Sequence, residues 1–149
     1  MSCVFAFDVG SRLTGVAIGN RLTASARPLA TLPMREGNPD WPQLDRLRAS
    51  WQPETLVVGL PLRLDGTEQP ASRAARQFAA ALGARYGLPV VLEDERDSSR
   101  EAAQRFAQGR AAGTRRRSQR ATIDADAAAV ILERWLQYSA RPAPQSSPP

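Results

Sequence analysis

Residues 3–19 read CVFAFDVGSRLTGVAIG. An apolar run from Cys3 to Phe7 ends on Asp8, a glycine-containing turn spans residues 9–14, and a second apolar run goes from Gly15 to Gly19. Two extended segments joined by so short a turn predict a β-hairpin, with Asp8 at the end of its first strand. A third extended piece, residues 23–32, continues the meander. Pro28 lies inside it and Pro33 closes it, which suits an edge strand because proline cannot donate to a ladder. The opening of the chain therefore reads as antiparallel.

Further along, the period of the pattern changes. Trp41, Leu44, Leu47 and Trp51 recur at three- and four-residue spacing, predicting a helix over 41–51 that Pro53 stops. Residues 56–60 are a continuous apolar, β-branched run suited to a strand buried on both faces, and 61–66 read as a loop. Residues 68–86 set Ala71, Ala75, Phe78, Leu82 and Tyr86 on one helical face, ended by Gly87 and Pro89. Residues 90–92 form the next strand. Strand, helix and strand make a parallel βαβ unit with a right-handed crossover. Three antiparallel strands followed by alternating α and β outline an α/β, ribonuclease H-like fold, with a mixed five-stranded sheet flanked by helices.

Beyond the sheet, Ser98 and Glu101 have capping-box spacing and predict a short helix ending near Gly109. Residues 109–121 hold two glycines, the run Arg115 to Arg117 and almost nothing apolar, and read as a mobile loop. A last helix is expected from about Thr122 to about Tyr138. Residues 1–139 then make one domain, and 140–149, with four prolines, a disordered tail. At 149 residues there is no room for two such domains around a cleft.

Composition excludes several chemistries. The chain has no histidine, which removes Ser-His-Asp and Cys-His catalysis and imidazole metal ligands. Its twenty basic residues are all arginine, which removes the P-loop lysine and Schiff bases. The single cysteine, Cys3, can build neither a disulfide framework nor a cysteine zinc site. The start of the chain lacks a signal-peptide pattern and no apolar run approaches membrane-spanning length, so a cytoplasmic protein without a membrane partner is expected. The net charge of +5 is concentrated. Residues 96–120 carry eight arginines against Asp97 and Glu101, or +6, leaving the rest of the chain at −1.

What remains for chemistry is carboxylate. Asp8 ends a strand beside glycines whose backbone can approach a phosphate closely, although a turn-capping aspartate would look the same. Glu93, Asp94 and Glu95 end a strand, with 93 and 95 on one face and 94 on the other. Adjacent carboxylates repel unless a cation or an arginine compensates, so the triplet is either a metal site or a solvated strand end paired with Arg96. Asp124 lines up with Ala128, Ile131 and Trp135 on the apolar face of the last helix, whereas Asp126 lines up with Val130, Glu133 and Gln137 on a more polar one. A carboxylate on a core-facing stripe is costly without a cation, which makes Asp124 the better ligand. Carboxylates from the first strand, a later parallel strand and the last helix can converge at one sheet end as hard oxygen ligands for Mg²⁺ or Mn²⁺. Such a set suits two-metal phosphodiester hydrolysis. The arginine-rich segment, with Arg96, Arg110, Arg115, Arg116, Arg117 and Arg120, supplies a matching surface for nucleic-acid phosphates.

Five ordered motifs sharpen this reading: Ala6-Phe7-Asp8 with Gly10 and Gly15-Val16-Ala17; Val57-Val58-Gly59-Leu60-Pro61-Leu62; Asp65-Gly66-Thr67-Glu68-Gln69; Asp94-Glu95-Arg96; and Ile123-Asp124 followed by Ala128. In them, from about Val4 to Tyr138, the chain resembles the YqgF/RuvX family of Holliday-junction-resolvase-like proteins, also described as nucleases that mature the 5′ end of the 16S ribosomal RNA precursor. The resemblance implies a ribonuclease H-like fold and an acidic site on Asp8, Glu95 and Asp124, and it selects Glu95 from the triplet. It also implies a ribosomal RNA precursor as favoured substrate, with branched DNA and ribosomal particles as further partners, and positioning roles for the Asp65 loop and Arg96. Asp97 departs from the family, which usually has an apolar or aromatic residue there. A monomer would serve end trimming and a symmetric dimer junction cleavage.

Two readings of other classes compete. Actin-like kinases and ATPases share the fold and an Asp-x-Gly loop but need two such domains, and here there is one. A non-catalytic ribosome-assembly factor would use the arginine segment alone and leave the acidic site as a relic.

Overall fold

The structure, a computed structural model, describes residues 2–94 and 118–140, and the side chains of 118–123 and 139–140 lie outside the description. The apolar run that ends on Asp8 forms β1 (Cys3–Asp8), and its hairpin partner is β2 (Leu13–Asn20). Then follow β3 (Ser25–Arg35), β4 (Asn38–Pro39), α1 (Trp41–Trp51), β5 (Thr55–Leu60), α2 (Pro70–Tyr86), β6 (Val90–Asp94) and α3 (Ser118–Ala140). The sheet order is β4-β3-β2-β1-β5-β6. Strands β1 to β4 pair antiparallel in sequence, while β1 with β5 and β5 with β6 pair parallel.

That is the mixed sheet the sequence predicts, with one strand more. The extra strand, β4, is an Asn-Pro dipeptide on the sheet edge, too short to carry any periodicity. Strand β3 runs past Pro33 to Arg35. Pro28 is accommodated where the register with β2 shifts between Val16 and Ala17, opposite Ala30 and Pro28, leaving Leu29 as the extra residue of a bulge. The helix over 41–51 is found as expected. It is capped by the Asp40 carboxylate, which accepts from the Gln43 N–H at 3.2 Å, and Gln52 in the left-handed region closes it just before Pro53.

Alternation along each strand divides the core into two layers. Phe5, Phe7, Val58 and Leu60 face α1 and α2, meeting Leu44, Phe78 and Leu82. Val4, Ala6, Ala17 and Val57 face α3, meeting Ala128, Ile131, Leu132 and Leu136. The small residues on this second face let α3 lie almost on the sheet backbone. A methyl built on Gly19 would fall 2.7 Å from the Ser25 carbonyl and 2.8 Å from Leu132.

Three further expectations are corrected. α3 begins at Ser118, so residues 118–121 are helical where a loop was expected. Their arginines and polar residues are compatible with a helix but offer no apolar stripe by which to recognise one. Ala71 is exposed, and the buried residue in the first turn of α2 is Ser72. Val130, on the face expected to be polar, is 1% exposed. The expected helix from Ser98, the remainder of the 109–121 segment and the tail beyond residue 140 lie outside the described residues.

Candidate active site

Strands β1, β5 and β6 are mutually parallel, so their C-terminal ends share one edge of the sheet, and the carboxylates gather there. Phe7 pairs with Val58 and Val58 with Leu92, which sets Asp8 level with Gly59 and Glu93 in the next row. By alternation Asp8 shares the face of Val4 and Ala6, the one covered by α3. Glu93 falls on that face too. Asp94, paired with Leu60, falls on the opposite face with Leu92.

The last helix arrives at the same place through Gly15. This glycine is the antiparallel register partner of Asp8. A Cβ on Gly15 would lie 2.0 Å from the carbonyl oxygen of Asp124 and 2.8 Å from the Ala125 nitrogen. The backbone of α3 at Asp124 thus occupies the space a side chain at position 15 would need. Paired strands hold Asp8 and Gly15 Cα atoms about 5 Å apart, so the Cα atoms of Asp8 and Asp124 fall within roughly 10 Å. Both aspartates are half-buried. Gly15 was expected to give a phosphate access to the backbone; instead it gives that access to the helix carrying Asp124. Gly10 tightens the turn after Asp8, where a methyl would lie 2.3 Å from the Leu13 carbonyl oxygen.

The local field is acidic. Burial pushes the Glu93 carboxyl up, neighbouring Arg134 on α3 opposes this, and Asp94 adds to it. Asp124 and Asp8 bring oxygen donors only, with no imidazole or thiolate nearby, a donor set that fits hard divalent ions such as Mg²⁺ or Mn²⁺. Among the described residues no three metal-ligating side chains stand together. The third expected ligand, Glu95, follows the last described residue of β6 and lies outside the description, as do Arg96, Arg110, Arg115, Arg116 and Arg117. Arg120 is placed on α3 by its backbone alone.

Beside the site, residues 61–69 form a small hairpin where a loop was expected. Leu62 bridges to Glu68, the Arg63 N–H donates to the Thr67 carbonyl at 2.9 Å, and the Gly66 N–H to the Arg63 carbonyl at 2.8 Å. The Asp65 carboxylate accepts from the Thr67 N–H at 3.0 Å and from its hydroxyl at 2.7 Å, which holds that carboxyl below its ordinary range. Gly66 at φ +89° completes the turn. Buried Ser72 ties the hairpin to α2, its hydroxyl donating to the Pro61 carbonyl and accepting from the Gln69 N–H. The sequence signal for this hairpin was the Asp-Gly pair itself.

Known proteins share this architecture. Over 133 residues, 89% of this chain and 86% of the relatives, it is 56% identical to proteins named "Putative pre-16S rRNA nuclease" from Xanthomonas campestris pv. campestris (strain 8004) and Xanthomonas axonopodis pv. citri (strain 306). The solved structure of T. thermophilus RuvC in complex with a Holliday junction substrate superposes with a TM-score of 0.52 at 17% identity. It covers 93% of this chain and 96% of that one, a likeness of fold. The family described as RuvX, Holliday junction resolvase, matches residues 2–138, and the chain belongs to it.

Proposed function

We propose that the chain is a divalent-metal-dependent nuclease that hydrolyses phosphodiester bonds, with Asp8, Glu95 and Asp124 as ligands of Mg²⁺ or Mn²⁺. The observation that carries this reading is the meeting of Asp8 and Asp124 at Gly15. Both carboxylates are half-buried at the contact between helix and sheet, and a bound cation would offset their mutual repulsion. When bound, the ions supply an activated water and charge neutralisation at the leaving oxygen. The protein's own part is positional. Asp8 rides on a strand paired on both sides and Asp124 on a helix seated against backbone. A site built on such elements is held more rigidly than one built on loops. The arginines of residues 96–120 would neutralise the phosphates on either side of the cut.

The names of the relatives favour a 16S ribosomal RNA precursor as substrate, and the reading proposed here adds that it is trimmed at its 5′ end in the cytoplasm. The family description favours a branched DNA. The chemistry at the phosphate is common to both. The deciding experiment incubates the protein, with Mn²⁺ or Mg²⁺, with labelled single-stranded RNA bearing the precursor end and, separately, with a four-way DNA junction. Cutting of the RNA alone, lost in Asp8→Asn, is the expected result. Cutting of the junction alone would replace the RNA by DNA and call for a dimer. Binding of either without cutting would reduce the chain to an assembly factor. Among the described residues no helix is long and apolar enough to cross a membrane.

A further inference from the structure

Helix α1 ends before it covers the whole of its face of the sheet. Its last residue, Trp51, stands at the sheet end opposite Asp8, where β1 begins and β2 turns into β3. Register sets Cys3, Asn20 and Ser25 in one row there, with Ile18 and Arg27 on the same face two residues along. Between these residues and Trp51 lies a groove of about 350 Å³, within the size range of ligand sites. Trp51 belongs by its spacing to the apolar stripe of α1, yet it is 42% exposed. The Arg27 guanidinium lies over its ring, 5.5 Å from the centroid.

The polar groups of the groove are donors without partners. Among the described residues no carboxylate pairs with Arg27, whereas Arg21, Arg76 and Arg85 each have one. The Asn20 carboxamide oxygen accepts from the Leu22 and Thr23 N–H groups at 2.7 and 3.3 Å, which leaves its NH₂ group to donate. Among the described residues no carboxylate lines the groove. Burial and then Glu54 push the Cys3 thiol up, but Glu54 is itself paired with Arg21.

An aromatic wall beside a cation and a free amide donor, with no anion, suits a flat ring that carries acceptors and a phosphate. That is the chemistry of a nucleotide. Indole and guanidinium planes both stack on bases without regard to sequence, and a guanidinium also binds phosphate. Only an unstacked base can enter such a groove, so the occupant is a single strand. Cys3 and Asp8 are the two ends of β1, about 17 Å apart at 3.3 Å per residue, and they lie on opposite faces of the sheet. A strand held at Asp8 must run on for about five nucleotides, at 3.4 Å each, to reach the groove as well.

We propose that the groove between Trp51 and Arg27 is a second nucleic-acid site, which holds one unstacked base of single-stranded RNA on the indole and its neighbouring phosphate on the guanidinium, away from the cut. The proposal rests on the nuclease reading above for the identity of the strand, and it adds a reason to prefer substrates with a long single-stranded segment.

The test measures binding of a labelled single-stranded RNA of about twelve nucleotides to the full chain, in the Asp8→Asn background so that no cleavage intervenes. Trp51→Ala should weaken binding about tenfold, as the loss of one stacked base would. Trp51→Phe should keep affinity within about threefold but lose most of the quenching of tryptophan emission that the RNA causes. Arg27→Gln should lower the slope of log affinity against log salt by about 0.7, the share of one phosphate on a single strand. A blunt duplex should bind without the quenching. Affinity, quenching and salt slope that these substitutions leave unaltered would overturn the proposal, as would equal quenching by the duplex. A dimer that Trp51→Ala dissociates, with RNA affinity unaltered, would overturn it in favour of a second copy of the chain. Failure of the nuclease reading would show separately, as absence of metal-dependent cutting by the Asp8 enzyme, because none of the binding measurements depends on cutting.

Discussion

Gly15 and Asp124 are in backbone contact: the space a methyl at position 15 would fill is taken by the Asp124 carbonyl, 2.0 Å from where that carbon would stand. Because Gly15 also pairs with Asp8, one missing side chain sets the spacing between two carboxylates from opposite ends of the chain. Gly15→Ala must push α3 off β2. We expect about 1–3 kcal/mol of lost stability from overpacking. A displacement near 1 Å should lower cleavage by about a hundredfold. Comparison of cleavage rate with urea-unfolding free energy checks this, since a folded but inactive protein is the expected product.

Metal binding can be read without catalysis. An ion that binds only the folded protein stabilises it by about 2.7 kcal/mol at a hundred times its Kd. Mn²⁺ or Mg²⁺ should therefore raise the wild-type Tm by several degrees, about 2–4 °C per kcal/mol at this size. Asp8→Asn and Asp124→Asn should each abolish the rise, and Asp126→Asn should retain most of it. Differential scanning fluorimetry across a metal titration measures all four proteins.

The parts of the chain legible in its sequence are those whose packing follows one period. Leu44 of α1 and the apolar runs of β1, β2 and β5 are buried as their spacing predicts, whereas Trp51, expected on the same helical face as Leu44, is 42% exposed. What escaped has no period to show. β4 is two residues long, the 61–69 hairpin is made of polar turn bonds, and the first turn of α3 carries arginine and glutamine. A bulge takes up Pro28, and β3 runs on through Pro33, which local propensity treats as a stop. At the site, the face and strand position of Asp8 and Asp124 could be read from alternation and helical spacing. Their convergence at one sheet end could be read as well, but not the contact that fixes it, which depends on a helix backbone touching a glycine more than a hundred residues earlier.

Ser72 anchors the hairpin of residues 61–69. It is fully buried, and its hydroxyl serves both the Pro61 carbonyl and the Gln69 N–H. Ser72→Ala leaves both groups without that partner and should cost about 1–3 kcal/mol, lowering Tm by about 2–12 °C. Thermal unfolding followed by circular dichroism gives the value.

The clamp between α1 and α2 makes stability depend on pH. Arg85 and then the Tyr86 hydroxyl bond to Asp45 and hold its carboxyl well below the usual carboxylate range. A folded-state pKa depressed in this way adds stability above the unfolded value of about 3.9, and that stability is lost as pH falls through the folded value. Asp45→Asn should therefore be less stable than wild type at pH 6. The gap should narrow steadily below about pH 4. Urea unfolding of the two proteins at a series of pH values measures the gap, and a gap independent of pH would dissociate Asp45 from the effect.

The central claim is that Asp8 and Asp124 act together as metal-holding carboxylates of a nuclease. It is tested most directly by single-turnover cleavage of the labelled ribosomal precursor RNA with Mn²⁺, comparing wild type with Asp8→Asn, Asp124→Asn and the double variant. The expected result is metal-dependent cutting that each single substitution reduces by about a thousandfold or more, with no further loss in the double variant, as for groups that act as a unit. Undiminished cutting by either folded single variant, or losses that multiply in the double variant, would contradict it.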